Sequence, residues 1–323
     1  MKSSTKVERR AESKDRAVVL FGPTAVGKTG LTEELFSSGY EIINADSIQV
    51  YRGLSIASAK PDEALRRKIR HHLVDIRDPW EEYTSGEFCH DTDSLIRDIN
   101  SRGLIPLITG GTAYYFKMLL YGRGTTPQAD AEIRLKVQNL LREKGGDWLY
   151  GELGRVDSVS RERINRNDIY RITRALEVYY QTGRPLSSFP VGTTLRDDVD
   201  FTVIGLERDK QELKQRIDER VEIMFRDGAV DEMRSLLESG AERSWPSMEA
   251  IGYREWFDAL ESGEFSLRDI RESIKRNSVK YAKRQMTFFR SFESVNWFNP
   301  SDTAGIRRLL SCRGLVGDVE NIQ

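Results

Sequence analysis

Short apolar, β-branched runs alternate with helix-length amphipathic stretches over the first part of the chain. Buried parallel strands joined by crossover helices leave this pattern. AVVLFG (17–22) predicts a strand; a glycine-containing turn follows, then KTGLTEELFSSG, a helix stopped at Gly39. YEIINADS (40–47) predicts a second strand and LIPLITGG (104–111) a third, which leads into the helix TAYYFKMLLYG. Between them Thr84 and Glu87 have capping-box spacing, and Phe88, Thr92, Leu95, Ile96 and Ile99 recur on one face of a helix over 84–103. The alternation predicts an α/β parallel sheet with helices on both faces.

After Thr125 the periodicity becomes purely helical: Ile133, Val137, Leu140 and Leu141, then Ile169, Ile172, Leu176 and Tyr179. Strand character returns at FTVIGLE (201–207), and Asp209 caps a helix carrying Leu213, Ile217, Val221, Met224 and Phe225 as far as Gly228. The expected organisation is a flexible tail at 1–16, an α/β core at 17–127 and 200–300, an all-helical insertion at 128–199, and a C-terminal tail at 301–323.

Composition narrows the class. The 323 residues carry 50 basic and 51 acidic side chains, a formal net charge of −1, so a nucleic-acid partner would need a local basic patch. No apolar run reaches the roughly 18 residues of a membrane span, and the charged start lacks an apolar signal core. A cytoplasmic protein without a membrane partner is expected. Cys89 and Cys312 are too far apart in sequence, and too few, for a disulfide framework or a zinc site; both are expected to be buried thiols. His71, His72 and His90 lack metal-ligand spacing.

Gly22-Pro23-Thr24-Ala25-Val26-Gly27-Lys28-Thr29 reads G-x-x-x-x-G-K-[ST], placed between a strand and a helix. Its glycines let backbone N–H groups turn toward phosphate oxygens, and the helix N-terminus adds a favourable dipole. Lys28 supplies a point charge, and the Thr29 hydroxyl is suited to hold Mg²⁺. The sheet is therefore expected to be P-loop NTPase-like, with a phosphate or nucleotide (ATP-type) cradle. Asp46, at the end of the second strand, is the carboxylate expected to face that cradle as a general base or magnesium partner. Gly110-Gly111-Thr112 closes the third strand and offers a hydroxyl. Arg216 and Arg220, four apart, can share one helix face. Between Arg271 and Arg290 seven basic residues face one acid, Glu272, with Phe288 and Phe289 interleaved. Basic groups contact phosphates and aromatics stack on bases.

These segments resemble the tRNA dimethylallyltransferase (isopentenyltransferase) family, bacterial type. The resemblance runs through GPTAVGKT (22–29), NADSIQVYRGL (44–54), AKP (59–61), HHLVDIRDP (71–79), TGGTAYYFKMLLYG (109–122), NDIYRITRALEVY (167–179), MEAIGYREW (248–256) and KRQMTFFR (283–290). It implies transfer of a dimethylallyl group from dimethylallyl diphosphate to the exocyclic N6 of the adenosine 3′-adjacent to the anticodon. The tRNAs would be those reading U-starting codons, and diphosphate would be released. The implied catalytic residues are Asp46, taking the N6 proton, and Thr112, near the bridging oxygen. The diphosphate would lie on Gly22, Thr24, Ala25, Val26, Gly27, Lys28 and Thr29, with Arg220 or Arg216, and Mg²⁺ on Thr29. The tRNA, engaged at its anticodon stem-loop, would meet Asp46, Ser47, Ile48, Gln49, Arg134, Tyr170, Arg171, Arg174, Gly252, Tyr253, Arg254, Lys283, Arg284, Gln285, Phe288 and Arg290. The target base must leave its stack to be reached. A monomer is expected. Two departures from the family pattern are Ala57 in the run that is usually GTAKP and Phe288 where Trp is common.

Two other reactions suit the same cradle. A small-molecule P-loop kinase could use Asp46 equally well, but does not require the helical insertion or the basic aromatic segment. An adenylate isopentenyltransferase would prenylate a free nucleotide and need no basic wall of tRNA size. A non-catalytic RNA-binding module is disfavoured by the intact Gly27, Lys28, Thr29, Asp46 and Thr112.

Overall fold

The computed structural model of the chain describes residues 14–122, 127, 130–189, 192 and 194–315. They form two compact units, Met1–Lys117 with Arg196–Gln323, and Met118–Leu195. In the first unit the order is β1 (Asp15–Phe21), α1 (Lys28–Leu35), β2 (Tyr40–Ala45), α2 (Glu63–Lys68), β3 (His71–His72), α3 (Ser85–Ser101), β4 (Ile105–Gly110) and the start of α4 (Ala113–Tyr121). The second unit holds α5 (Ala131–Lys144), α6 (Gly146–Val156), α7 (Ser158–Arg163) and α8 (Ile169–Thr182). The first then resumes with β5 (Val199–Leu206), α9 (Lys210–Arg226), α10 (Ala229–Glu238), α11 (Arg254–Ser262), α12 (Leu267–Phe289), β6 (Asn296–Phe298) and α13 (Thr303–Cys312).

All strand pairs are parallel, in the order β3-β2-β4-β1-β5-β6. Ala45 pairs with Gly110, Gly110 with Phe21, and Phe21 with Gly205, so the carboxyl ends of four strands are level. Open α/β sheets bind ligands at that edge. The central strands are buried on both faces: Ala17–Phe21 are fully buried, as are Ile43 and Ala45. Helix α3 begins with the capping box expected of Thr84 and Glu87, each side chain bonded to the other's backbone.

Phe21 is packed among rings. It stacks on Phe289 at 4.4 Å and 5°, and meets Phe116 and Phe292 at 5.4 Å each. Truncating such a ring costs about 3–5 kcal/mol. Phe289 therefore belongs to the core and is not the base-stacking ring that its place in the basic segment suggests. The expected C-terminal tail is corrected as well: over 303–312 it is helix α13, and Ile306, Leu310 and Leu315 join the apolar core with Val18 and Leu31. Residues 316–323 lie outside the described residues, as do residues 1–13 of the expected N-terminal tail; Asp15 and Arg16 already belong to β1. Cys89 is buried, but Cys312, expected to be buried, is exposed on the outer side of α13.

The second unit has its own core, in which Val137 of α5, Leu149 and Leu153 of α6, and Ile172, Ala175 and Leu176 of α8 are buried together. Among the described residues no helix is long and apolar enough to cross a membrane.

Candidate active site at the strand ends

A cavity of about 730 Å³ opens at the carboxyl ends of β1, β2 and β4, within the first unit. Thr24–Gly30 line one side, Asp46–Gln49 another, and α9 and α12 contribute Arg216, Arg220, Tyr281, Arg284 and Gln285. Of the sequence-predicted diphosphate residues, Thr24–Thr29, Arg216 and Arg220 are thus brought into one space with Asp46, whereas Gly22 is buried behind the loop and does not line it.

The loop between β1 and α1 is shaped by left-handed residues at Ala25 (φ 61°) and Gly27 (φ 115°). At Gly27 a side chain would be strained by the backbone alone. Cations hold the loop's carbonyl oxygens. Lys28 Nζ donates to Gly22 O (2.8 Å) and Pro23 O (3.0 Å), Arg216 Nε to Ala25 O (2.9 Å), and Arg208 Nε to Val26 O (2.7 Å). Arg208 was not foreseen; it lies just past β5, and only the return of that strand beside β1 brings it to the loop.

Arg216 and Arg220 share a face of α9 and both reach the loop, by different routes. Arg216 is exposed, whereas Arg220 is half-buried and donates from Nη1 to Thr24 Oγ1 at 2.8 Å. Burial pushes the Arg220 guanidinium below its ordinary pKa, and the Asp46 charge acts the other way. Lys28 is lowered to about 7, first by burial and then by Arg220, again opposed by Asp46. Both cations therefore feel the Asp46 carboxylate. They hold positive charge in a confined, partly desolvated space, which suits a polyanion.

Asp46 follows β2 directly. Its Oδ1 accepts from Ile48 N (2.9 Å) and Gln49 N (3.4 Å), which orients the carboxylate; Oδ2 receives no hydrogen bond among the described residues. Thr112 Oγ1 accepts from Ser47 N at 2.9 Å and donates to Ser47 Oγ at 3.2 Å, tying the ends of β2 and β4 together. Gln49 Nε2 donates to Ser58 O and Ala59 O, both at 3.0 Å, so its amide nitrogen is already engaged. Thr29 is exposed at the cavity. Its hydroxyl and the Asp46 carboxylate are hard oxygen donors of the kind Mg²⁺ takes alongside substrate phosphates. No group of three or more His, Cys, Asp or Glu that could hold a metal occurs among the described residues.

The segments expected to meet RNA divide into inner and outer residues. Lys283 and Arg284 are exposed on α12, as is Lys280. Arg271 and Lys275 are paired with Glu222 (3.2 and 2.7 Å), and Arg290 with Glu207 (3.1 Å), so the usable charge is smaller than the sequence count. Gln285 is corrected to an inward residue. It is buried, its Oε1 accepts from Thr24 N (2.9 Å), and its Nε2 donates to Gly111 O (2.6 Å). Tyr253 is also buried, with its hydroxyl on Glu232 at 2.9 Å, so it has no free face for RNA; Gly252 is buried beside it, while Arg254 lines the cavity. Phe288 is half-buried, with Lys117 Nζ 5.5 Å from its ring centroid. In the second unit Tyr170 is 80% exposed, Arg171 pairs with Asp168 at 3.3 Å, Arg174 donates to Pro127 O at 2.6 Å, and Arg134 is half-buried on α5.

The sequence reading missed the apolar part of the cavity. Ile223 and Met224 of α9, Ile251, and Ile274 of α12 line it. Met224 was legible only as one position in a core-facing stripe, and the stripe does not reveal that part of that face borders a cavity.

Comparison with known proteins agrees with this geometry. The family model described as IPP transferase matches residues 49–292. The chain is 43% identical to the tRNA dimethylallyltransferase of Borreliella afzelii, over 89% of this chain and 96% of that protein. It is 40% identical to that of Geobacter sulfurreducens, over 89% and 93%. Among solved structures, the tRNA isopentenylpyrophosphate transferase of Bacillus halodurans matches with a TM-score of 0.66 at 33% identity, covering 94% of this chain and 97% of that one. A eukaryotic dimethylallyltransferase acting on tRNA matches with a TM-score of 0.74 at 29% identity, covering 94% and 78%. A match of this length and identity, on a chain whose strand ends bring a phosphate loop and Asp46 into one cavity, leaves one conclusion: the chain belongs to the tRNA dimethylallyltransferase (IPP transferase) family.

Proposed function

We propose that this enzyme transfers the dimethylallyl group of dimethylallyl diphosphate to N6 of the adenosine 3′ to the anticodon, in tRNAs reading codons that begin with U. One observation carries the proposal: Asp46 shares a cavity, and an electrostatic field, with the two desolvated cations Lys28 and Arg220. The N6 lone pair forms a bond to C1 of the allyl group while the C1–O bond breaks, and that bond's electrons leave on the diphosphate oxygen. The N6 proton passes to the Asp46 carboxylate through Oδ2. Lys28, Arg220 and the loop amides receive the growing negative charge on the leaving group. Thr29 would hold Mg²⁺ here, and the ion would supply further neutralisation of the diphosphate. The Ile223–Met224 and Ile251 side of the cavity suits the five-carbon chain. Outside it Lys280 and Lys283 of α12, and at its rim the exposed Arg284, offer phosphate contacts to an RNA stem, and the exposed Tyr170 and Arg171 of the second unit offer others. The exposed cations of α12 favour a tRNA acceptor over a free nucleotide.

The test is transfer of labelled dimethylallyl diphosphate with Mg²⁺ to unmodified tRNA, compared with AMP as acceptor, and ATP turnover with small hydroxyl substrates. Label on tRNA alone is expected. Asp46→Asn should reduce transfer by about 10²–10⁴-fold while pyrophosphate binding persists. Full activity of that variant would remove Asp46 from the proton transfer, and preference for AMP or ATP would overturn the reading.

A further inference from the structure

The segment Ser55–Ala59 ends in a wall of the cavity, where Ala57, Ser58 and Ala59 line it together with Gln49 and Asp46. One carboxylate binds its first three backbone amides. Glu232, in the first turn of α10, accepts from Ser55 N (2.8 Å) and Ile56 N (2.7 Å) on Oε2. On Oε1 it accepts from Ala57 N (3.1 Å) and from the Tyr253 hydroxyl (2.9 Å). Three consecutive backbone amides and a phenol converge on one side chain, and each bond is strengthened by its charge. Every carboxylate bond thus ends on the wall or on the turn behind it.

That turn is built to back the wall. Gly252 has φ 103°, and a Cβ there would lie 3.0 Å from the Ala57 Cβ, so only glycine allows the two backbones to approach this closely. Its N–H donates to Glu255 Oε2 at 2.8 Å and its carbonyl accepts from Trp256 Nε1 at 3.0 Å. Glu255 in turn accepts from Asn277 Nδ2 of α12 at 2.7 Å. The far end of the wall is fixed by Lys60, whose buried Nζ donates to Tyr51 O (2.7 Å) and Asp75 Oδ1 (2.6 Å). From the wall, the carbonyls of Ser58 and Ala59 hold the Gln49 amide, and the Gln49 backbone N–H is one of the two donors on Asp46 Oδ1. The residues of IGYREW that carry the family resemblance thereby have a mechanical use that requires no contact with RNA.

We infer that Glu232 is a positioning residue for the acceptor base, acting through the Ser55–Ala59 wall on Gln49 and so on the group that receives the base. The inference rests on the assignment of the Asp46 side of the cavity to the acceptor. The donor cradle lies on other elements, so a fault at Glu232 should fall on one substrate only.

The experiment measures steady-state transfer with tRNA and dimethylallyl diphosphate varied separately, for Glu232→Gln, Gln49→Ala and the double variant. Glu232→Gln should lower kcat/KM for tRNA about tenfold or more, since an amide nitrogen would face the wall's N–H groups. The KM for dimethylallyl diphosphate should stay within about twofold. The double variant should be no worse than the weaker single, because both changes break one chain of contacts. Should Glu232→Gln fail to fold, Tyr253→Phe removes one of the four donors and should show a smaller loss, about threefold, in the same parameter. Multiplying losses in the double variant, an equal loss for both substrates, or unchanged tRNA kinetics in a folded variant would each overturn the inference. Wild-type protein that prenylates no tRNA would instead defeat the functional reading, and the inference with it.

Discussion

Under the proposed function, Lys28 should make binding of the donor sensitive to pH, in a way that follows from its surroundings. Its Nζ has two carbonyl acceptors, Gly22 O and Pro23 O, but no anion of its own, and burial together with Arg220 lowers its pKa to about 7. With that value about nine-tenths of the molecules carry the charge at pH 6 and about one-tenth at pH 8. A diphosphate needs the charged form, so its apparent affinity should fall about tenfold between those two pH values. Once bound, the anion restores the lysine toward its ordinary pKa, and binding at pH 8 should take up close to one proton per site, about 0.9. The same shift fixes the sign for folding: between pH of about 7 and 10.5 the unfolded chain holds more protons, so the cost of burying this lysine shrinks as pH rises.

Calorimetry with inorganic pyrophosphate, in two buffers of different ionisation enthalpy, reads the proton uptake directly. Lys28→Arg provides the reference, because its guanidinium stays charged throughout and the ligand's own ionisation then cancels in the comparison. Sulfate, whose charge is constant in this range, gives a second reading on the wild type alone. Equal proton uptake in wild type and Lys28→Arg, together with a flat sulfate profile, would refute the reasoning.

Gln285→Leu should destabilise the protein by about 2–4 kcal/mol in urea unfolding, since it strands Thr24 N and Gly111 O, and a loss under about 1 kcal/mol would deny that it braces the loop. It should also weaken pyrophosphate binding, although no part of Gln285 need touch the ligand. Replacing both Lys283 and Arg284 with Gln should flatten the slope of log affinity for tRNA against log salt by about 1.4–1.8, at about 0.7–0.9 per lost contact; an unchanged slope would take these side chains off the RNA. Arg220→Gln should cost more pyrophosphate affinity, about tenfold or greater, than Arg216→Gln, because the first cation is desolvated and the second faces water. Equal losses would contradict that ranking.

What the sequence made legible was whatever depends on neighbours in the chain. The phosphate loop is a local motif, the Thr84–Glu87 box is a spacing of three, and Asp46 follows from the rule that ligands gather at carboxyl ends of parallel strands. Strands β3 and β6 escaped because two and three residues are too few to show alternation; only pairing with β2 and β5 defines them. Helix α13 read as a tail because Arg307, Arg308 and Arg313 surround its few apolar positions, and Ile306 and Leu310 count as core only once they meet the sheet's other residues. Arg208 at the loop and the apolar wall at Ile223 and Ile251 depend on elements distant in sequence.

The errors inside the recognised segments have a different origin. In KRQMTFFR the helix turns about 100° per residue, so neighbours in sequence face different partners. Lys283 and Arg284 point to solvent, Gln285 turns in to the phosphate loop, and Phe289, one turn on, stacks on Phe21 in the core. A stretch that looks like one RNA-binding motif is therefore three sites on one rigid rod. The same helix carries the outward cations and the brace on Thr24, so its exposed and buried faces serve different parts of the molecule. Gln285 belongs in this segment for the loop it braces, through Thr24 N and Gly111 O, and that role needs no contact with RNA.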